Sequence, residues 1–416
     1  MFGSYSTPRS PWASRLFGRW QIVSATPYRP MFLLGAAQLV LAMVLWFGEL
    51  VGRQFAAPLP FVIVSTQAHA LLMLYGVFTF FMYGFLFTVF PRWMGGAEVA
   101  RGRYMAIAIA GAVGMAIIYV GFFAGRIVLG AGLVLYLAAW VGAILALFGV
   151  YGRAQRRRMH ERLLLLELIF GALGLAAFLY ATVADSAFAF TVARDVGLWG
   201  FLVPVLLTVS HRMIPFFTQS ALPAAALPRV DWSLGWFVGG SLLHGVFEIG
   251  SQPIARLVVD LALAGVALRH TVVWGLTRSF RVRLLAMLHI AFLWFGIAMT
   301  LYAVAAALAL AGNDALGRAP LHALGIGYVT STLVAMATRV TLGHSGRALA
   351  VNAPTWYLFL GIGVVALLRV TAELAPVAAH QWLNVLAAAA WLACLVAWAA
   401  RYAPMYVRPR VDRRPG

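Results

Sequence analysis

The chain has no lysine, a single cysteine and few charged side chains. All 31 basic residues are arginines, only 12 residues are acidic, and charged residues make up 10% of the 416 residues. The lone Cys394 excludes an intramolecular disulfide, a CxxC zinc site and covalent attachment of haem through a CxxCH motif. Because soluble domains carry about a quarter of charged residues, this composition excludes an ordinary soluble protein.

Apolar residues take the place of the missing charges. Hydrophobic residues make up 63% of the chain, and its mean hydropathy is +0.90. Twelve apolar stretches approach or exceed the roughly 20 residues that a helix needs to cross hydrocarbon. They lie at about 31–50, 62–90, 104–122, 127–150, 163–184, 196–217, 232–250, 254–277, 284–311, 319–342, 354–374 and 379–402. The sequence therefore predicts an all-α membrane bundle of about 12 transmembrane helices.

The arginines lie mainly on one side of these predicted spans. Most occur in the two tails and in every second loop, among them Arg9, Arg15, Arg229, Arg413 and Arg414. The opposite loops hold only Arg53, Arg126, Arg194, Arg256 and Arg318. Cytoplasmic loops of membrane proteins are enriched in basic residues, so both termini are predicted to be cytoplasmic. The formal charge of +19 is thus explained by arginines at one face of the lipid bilayer, and no nucleic-acid partner is expected.

The predicted organisation is one membrane domain between two tails. Residues 1–30 form an N-terminal cytoplasmic tail, 31–403 the single 12-helix domain, and 404–416 a basic cytoplasmic C-terminal tail. The first tail has no apolar core, so we interpret it as retained rather than as a signal peptide. All loops are short, so the chemistry is expected within the bundle or at its rims.

Two histidines, His69 and His322, lie near the start of apolar stretches that are predicted to begin on the same, outer side. An imidazole in hydrocarbon is costly and usually faces a bundle interior, where it carries a ligand, a proton or an ion. Haem iron accepts imidazoles from both sides of its ring, so this pair predicts a haem or metal held between two helices. The alternative is a structural histidine that hydrogen-bonds a neighbouring helix.

Other polar residues within the apolar stretches are weaker candidates. His244 and Glu248 are four residues apart and share a helical face, which is typical of a metal site or a proton relay. The alternative is a polar pair at a helix end near water. Arg269 and Arg369 lie near the ends of spans, where snorkelling of the long side chain explains them.

A third group of residues lies toward the inner face. Arg339, His344 and Arg347 belong to the segment RVTLGHSGR and could bind an anion such as a haem propionate. The alternative is an ordinary positive loop. His289 follows an inner arginine pair and is either a ligand or a packing residue at the interface.

Several segments resemble the NnrS family of bacterial membrane haem–copper proteins. They are HALLMLYGVFTFFMYGFLFTVFPRWMG (69–95), RMIPFF (212–217), LLAMLHIAFLW (284–294) and LHALGIGYVTSTLVAMATRVTLGHSGR (321–347). The last segment follows the family signature nearly throughout, with Ser345 in place of threonine. In the first, Leu71 and Leu72 replace the family's second histidine and glutamate, and Arg92 replaces an asparagine, which puts a cofactor that relies on them in doubt.

The segment AHALLM (68–73) is also similar to the second helix of haem–copper oxidase main subunits. There a histidine at this place holds the low-spin haem, and a histidine opening helix ten is its partner; His69 and His322 match these two positions. The chain has no adjacent His-His pair and no His-Pro-Glu-Val-Tyr motif in its sixth span. A binuclear oxygen-reducing centre is therefore not expected.

The resemblance implies an integral haem protein of the bacterial inner membrane, with b-type haem held non-covalently and copper as a second cofactor. It implies nitric oxide metabolism or resistance to nitrosative stress in a denitrifying bacterium. The implied partners are nitric oxide or a related small molecule and a respiratory electron donor. His69 and His322 are the expected axial ligands, and His244 with Glu248 is the candidate for a second metal or proton site. His289 and His344 are expected as ligands or as partners of haem carboxylates.

Two other classes of function remain open from the sequence. A secondary transporter without a metal cofactor also suits twelve spans, although no repeat relates 1–210 to 211–416, as such transporters often show. An assembly factor for a respiratory enzyme is the third hypothesis. The residues do not indicate whether the chain is an enzyme.

Overall fold

A computed structural model describes residues 18–223, 227 and 230–412, and within them the chain is a bundle of long helices without a strand. Each of twelve long helices overlaps one predicted apolar stretch. They are α1 (Tyr28–Gln54), α2 (Ser65–Met94), α3 (Arg101–Ala124), α4 (Arg126–Gly152), α5 (Met159–Ala184), α6 (Ala187–Ala221), α7 (Trp232–Ile249), α8 (Pro253–Val273), α9 (Arg283–Leu310), α10 (Ala319–His344), α11 (Ala353–Glu373) and α12 (Val377–Tyr402). The predicted all-α membrane bundle is confirmed.

Ten of these helices are long and apolar enough to cross a membrane, so the chain is a multi-pass membrane protein. The other two, α7 and α8, are more polar. α7 carries His244 and Glu248, and α8 carries Arg256, Asp260 and Arg269. The count of twelve spans and the cytoplasmic position of both termini stay predictions.

Local signals in the sequence set several helix ends. The hydroxyl of Ser186 accepts a hydrogen bond from the backbone N–H of Ala189, 3.2 Å away, and so caps the start of α6. The amide oxygen of Asn352 does the same for Thr355 at the start of α11. Gly95 caps the C-terminal end of α2, directly after Met94. Its φ of 62° is the left-handed conformation that glycine adopts at little cost.

Helices α3 and α4 form a tightly packed hairpin because small residues face each other. A Cβ atom at Gly114 would lie 2.8 Å from the backbone nitrogen of Tyr136, and one at Gly132 would lie 2.7 Å from that of Ile118. Small residues let membrane helices approach this closely.

The interior of the bundle is formed mainly by α2, α6, α9 and α10. In the most apolar part of α2, 89% of the residues are buried within the protein, against 33% in α11 and in α12. The peripheral helices therefore face lipid with much of their surface. The chemistry of the bundle is expected on the central helices.

Three central helices contain a π-helical segment, which the sequence did not predict. These segments are Leu72–Val77 in α2, Val196–Leu202 in α6 and Ala323–Thr330 in α10. π-helical turns are rare and occur frequently at functional sites. In α2 and α10 the π segment begins within one turn of His69 and His322.

The membrane ends of both predicted tails are packed against the bundle. Arg29 is 2% exposed and donates to the backbone carbonyls of Tyr406 and Arg408, at 3.2 and 2.8 Å. Tyr406 itself is fully buried. Of the arginines used for the topology, Arg9, Arg15, Arg229, Arg413 and Arg414 lie outside the described residues.

Candidate functional site

His69 and His322 lie at the same end of two central helices. His69 is in the second turn of α2, and His322 is in the first turn of α10. The positive charge of Arg369 acts on both imidazoles. The structure thus places both members of the predicted pair at one end of the bundle; their role as ligands stays a prediction.

The tautomer of His322 follows from its neighbours. Its Nδ1 lies 3.0 Å from the backbone carbonyl oxygen of Arg318. A carbonyl only accepts, and this contact is shorter than the 3.3 Å contact of Nδ1 with Nη2 of Arg369, which donates to Glu373, so we assign the proton to Nδ1 and the lone pair to Nε2. Histidines that bind metals almost always donate their other ring N–H in this way. His322 is therefore oriented for ligation through Nε2.

His69 is held by an aromatic contact. Its ring stacks on Trp46 of α1, with ring centroids 4.0 Å apart and planes inclined by 20°. The Nδ1 atom of His69 is buried and has no hydrogen-bond partner. A buried polar atom without a partner is costly, which is typical of a position whose partner is a bound group.

Arg369 of α11, which is explained from the sequence as a snorkelling residue, is part of this site. Its Nη2 donates to Glu373, at 2.7 Å, and lies 3.3 Å from Nδ1 of His322. The side chain is only 12% exposed. Its Nη1 is buried and has no partner, so one charged donor remains for an anionic group beside the two imidazoles.

These residues fit a haem. His322 offers a free Nε2, His69 has a buried nitrogen without a partner, and Arg369 offers a donor for a carboxylate. The single Cys394 is half-buried on α12 and cannot form a CxxCH attachment, so any haem is held non-covalently.

The predicted pairing of His244 with Glu248 was wrong. Nδ1 of His244 lies 2.5 Å from Oδ1 of Asp260 on α8, and both side chains are fully buried. Glu248 instead forms an ion pair with Arg256. No group of three or more His, Cys, Asp or Glu residues in the described part of the chain is placed to hold a metal ion. The prediction of a second metal site therefore has no cluster there to support it.

The imidazole of His244 contacts two aromatic rings. Its ring centroid is 3.7 Å from that of Trp199, in the π segment of α6, and 4.9 Å from that of Tyr302 of α9. Asp260 was not predicted as a functional residue, although an acidic residue within the apolar segment RLVVDLALAGVAL was a signal. Trp199 and Tyr302 gave no signal, since the chain has many aromatic residues in its spans.

The inner candidates lie at the other end of the bundle. The helical rise places Arg339 about 25 Å from His322 along α10. The guanidinium of Arg339 lies over the ring of Phe217, 3.8 Å from its centroid. The next residue, Thr218, contacts His289 at 2.9 Å, and because its hydroxyl donates to Ile214, Nε2 of His289 is the donor. His289 and Arg339 therefore both contact α6, far from His69.

His344 and Arg347 form a separate arrangement near α1. The ring of His344 packs against that of Tyr28, with centroids 4.9 Å apart and planes inclined by 39°. Nη1 of Arg347 is buried without a partner. An anion bound by His344 and Arg347 would therefore occupy a different site from a carboxylate bound by Arg369.

An apolar cavity of about 40 Å³ lies between α1, α2, α6 and α10. Phe81, Val205 and Met336 are among its lining residues. Thr332 is the polar residue among those that line the cavity, and its hydroxyl is buried without a hydrogen-bond partner. Cavities of this kind hold small apolar molecules rather than water.

The chain was also compared with known proteins. No curated protein matches it. A family model described as NnrS protein matches residues 22–410, nearly the whole chain. The chain therefore belongs to the NnrS family.

Proposed function

We propose that the chain is a haem protein of the bacterial inner membrane that acts in nitric oxide metabolism or in resistance to nitrosative stress. The observation that carries this proposal is the position of His69 and His322 at the same end of two central helices, with Nε2 of His322 left free. Membership of the NnrS family supports the nitric oxide role. It also favours this function over a transporter or an assembly factor.

In this proposal His69 and His322 would hold a non-covalent, b-type haem. Bound haem would supply an iron centre that accepts and returns electrons. Arg369 would hold a haem carboxylate through its free Nη1. The stacking of Trp46 on His69 fixes the plane of the imidazole. Copper remains an expectation from the family resemblance, without a cluster of ligands among the described residues.

The apolar cavity supports a small uncharged substrate or ligand. It lies on the same two helices as His69 and His322, closer to the middle of the bundle, and its lining is almost entirely apolar. Nitric oxide fits this chemistry, because it is small and uncharged. Thr332 is the single unpaired hydroxyl that could hydrogen-bond it there.

The absorption spectrum of the detergent-purified protein tests the haem site. We expect a Soret band that is lost or strongly reduced in His69→Ala and in His322→Ala. His380→Ala is the matched control, since His380 also lies at the outer end but bonds only to the carbonyl of Ala372. A folded protein that shows no Soret band of bound haem after haem has been supplied in excess would contradict the proposal.

The growth of a deletion strain under nitric oxide tests the physiological role. The wild-type gene should restore growth, whereas the gene for His69→Ala should not. Equal growth of the deletion strain and its parent would contradict the role while leaving the haem site intact.

A further inference from the structure

Glu167 is a buried acidic residue within a membrane helix. It lies on α5, eight residues from the start of that helix, or about 12 Å along its axis. The residue is 1% exposed. The start of α5 belongs to the arginine-rich end of the bundle, where the preceding connection carries Arg153, Arg156, Arg157 and Arg158.

The other buried acidic residues of the described chain all have a basic partner. Those partners are Arg53 for Glu49, Arg212 for Glu161, Arg194 for Asp195 and His244 for Asp260. Glu167 differs from all four. Its Oε1 accepts a hydrogen bond from the hydroxyl of Thr208, at 2.7 Å, and no charged side chain among the described residues acts on it.

The second oxygen of Glu167 is the more informative one. Oε2 is buried and has no hydrogen-bond partner. An ionised carboxylate in a dry interior without a counter-charge is strongly disfavoured, so the group takes up a proton instead. Because Thr208 donates to Oε1, the acidic proton belongs on Oε2, the oxygen that is free to pass it on.

Titratable side chains continue along the same seam toward the arginine-rich end. His160 precedes Glu167 by two helical turns on α5, and His211 follows Thr208 by one turn on α6, so each pair shares a helical face. Nε2 of His160 lies 3.1 Å from Nδ1 of His211. The ion pair of Glu161 and Arg212, at 2.6 Å, lies beside them.

The tautomers of the two histidines can be assigned. The hydroxyl of Ser233 donates to the carbonyl of Val230, and both oxygens lie within 3.2 Å of Nε2 of His211. Nε2 of His211 is therefore the donor, and its Nδ1 accepts from Nε2 of His160. This leaves Nδ1 of the half-buried His160 as the acceptor for a proton from the arginine-rich side.

We propose that Glu167 is a proton-binding site inside the membrane, which exchanges one proton with the arginine-rich side along the seam between α5 and α6, with His160 at its entrance. On uptake, a proton from water adds to the Glu167 carboxylate to give the neutral acid. On release, the O–H bond breaks, and the electron pair stays on Oε2. The proposal goes beyond the haem site and does not depend on it.

Infrared spectroscopy of the purified full-length protein tests the site. We expect the difference between wild type and Glu167→Gln to show one protonated-carboxyl band at neutral pH, replaced by carboxylate bands as the pH rises. Thr208→Val should shift that band to higher frequency, because the carbonyl oxygen loses its donor. Glu49→Gln is the control, since Arg53 keeps Glu49 ionised and no protonated-carboxyl band should be lost.

Exchange of the band in heavy water tests the route. In wild type the band should shift on transfer to heavy water, and in His160→Phe this shift should be slower. If Glu167 contributes only carboxylate bands at neutral pH, or a protonated band that neither titrates nor exchanges, the site is overturned. An unchanged exchange rate in His160→Phe overturns the entrance. Should Glu167→Gln fail to fold, Thr208→Val with isotope-labelled glutamate gives the same decision.

Discussion

Nδ1 of His244 and Oδ1 of Asp260 are 2.5 Å apart, and neither side chain is exposed. The two residues lie on consecutive helices, α7 and α8, and join them across the hairpin. The remaining polar atoms, Nε2 of His244 and Oδ2 of Asp260, are buried without partners. Besides the nearby charge of Arg256, the pair therefore depends on its own contact for electrostatic compensation.

Removing one member of the pair should destabilise the protein. Asp260→Leu leaves the buried imidazole without its carboxylate, and loss of one partner of a buried pair costs about 3–5 kcal/mol. The double variant with His244→Phe should cost less than the sum of the two single changes. Unfolding in mixed detergent micelles measures all three. Additive costs would show that the two side chains are not coupled.

Arg369→Gln should weaken haem binding. The change removes the buried cation whose Nη1 is free beside His69 and His322. A hydrogen bond to a charged group contributes about 1.5–3 kcal/mol, so affinity should fall roughly 10-fold or more. Haem titration of the apoprotein measures this. Arg269→Gln, at an exposed position on α8, is the control and should bind haem like wild type.

Two glycines of α4 should respond oppositely to alanine. A Cβ at Gly132 would lie 2.7 Å from the backbone nitrogen of Ile118, whereas one at Gly142 would lie 3.6 Å from the nearest atom, in the side chain of Ile107. Gly132→Ala should therefore destabilise by about 1–3 kcal/mol through overpacking. Gly142→Ala should be neutral or stabilising by up to about 1 kcal/mol. Thermal unfolding in detergent compares them, and equal midpoints would contradict the close packing of α3 and α4.

Arg29→Met should loosen the C-terminal segment. The substitution keeps an unbranched apolar side chain but removes the donors to the carbonyls of Tyr406 and Arg408. Amide hydrogen exchange should become faster in residues 403–410, with little change in the rest of the bundle. Arg19→Met, at an exposed position, is the control. Unchanged exchange in this segment would mean that Arg29 does not hold it.

The helices could be predicted from the sequence because length and hydropathy decide what crosses hydrocarbon. The stretch predicted at 104–122 lies within α3, Arg101–Ala124, and each of the other predicted stretches likewise overlaps one long helix. The π segments could not be predicted. A residue such as Gly325 or Tyr328 suits an α- or a π-helical turn equally, and packing against neighbouring helices selects the hydrogen-bond pattern.

The candidate site was predicted only in part. The pairing of His69 with His322 followed from topology, because two helices that start on the same side bring their first turns to one depth. The partner of His244 could not be predicted from the four-residue spacing within one helix, because Asp260 approaches from the next helix. Arg369 was missed for the same reason, since its contact with His322 joins α10 to α11.

The polarity of α7 and α8 has a consequence for biogenesis. An acidic residue near the centre of an inserting helix costs about 2.5–3.5 kcal/mol, so α8 is a poor substrate for insertion by itself. Contact with His244 compensates Asp260 only when both helices are present. We therefore expect α7 and α8 to enter the membrane together as a hairpin. After its synthesis, α7 would stay at the insertion machinery until α8 has been made.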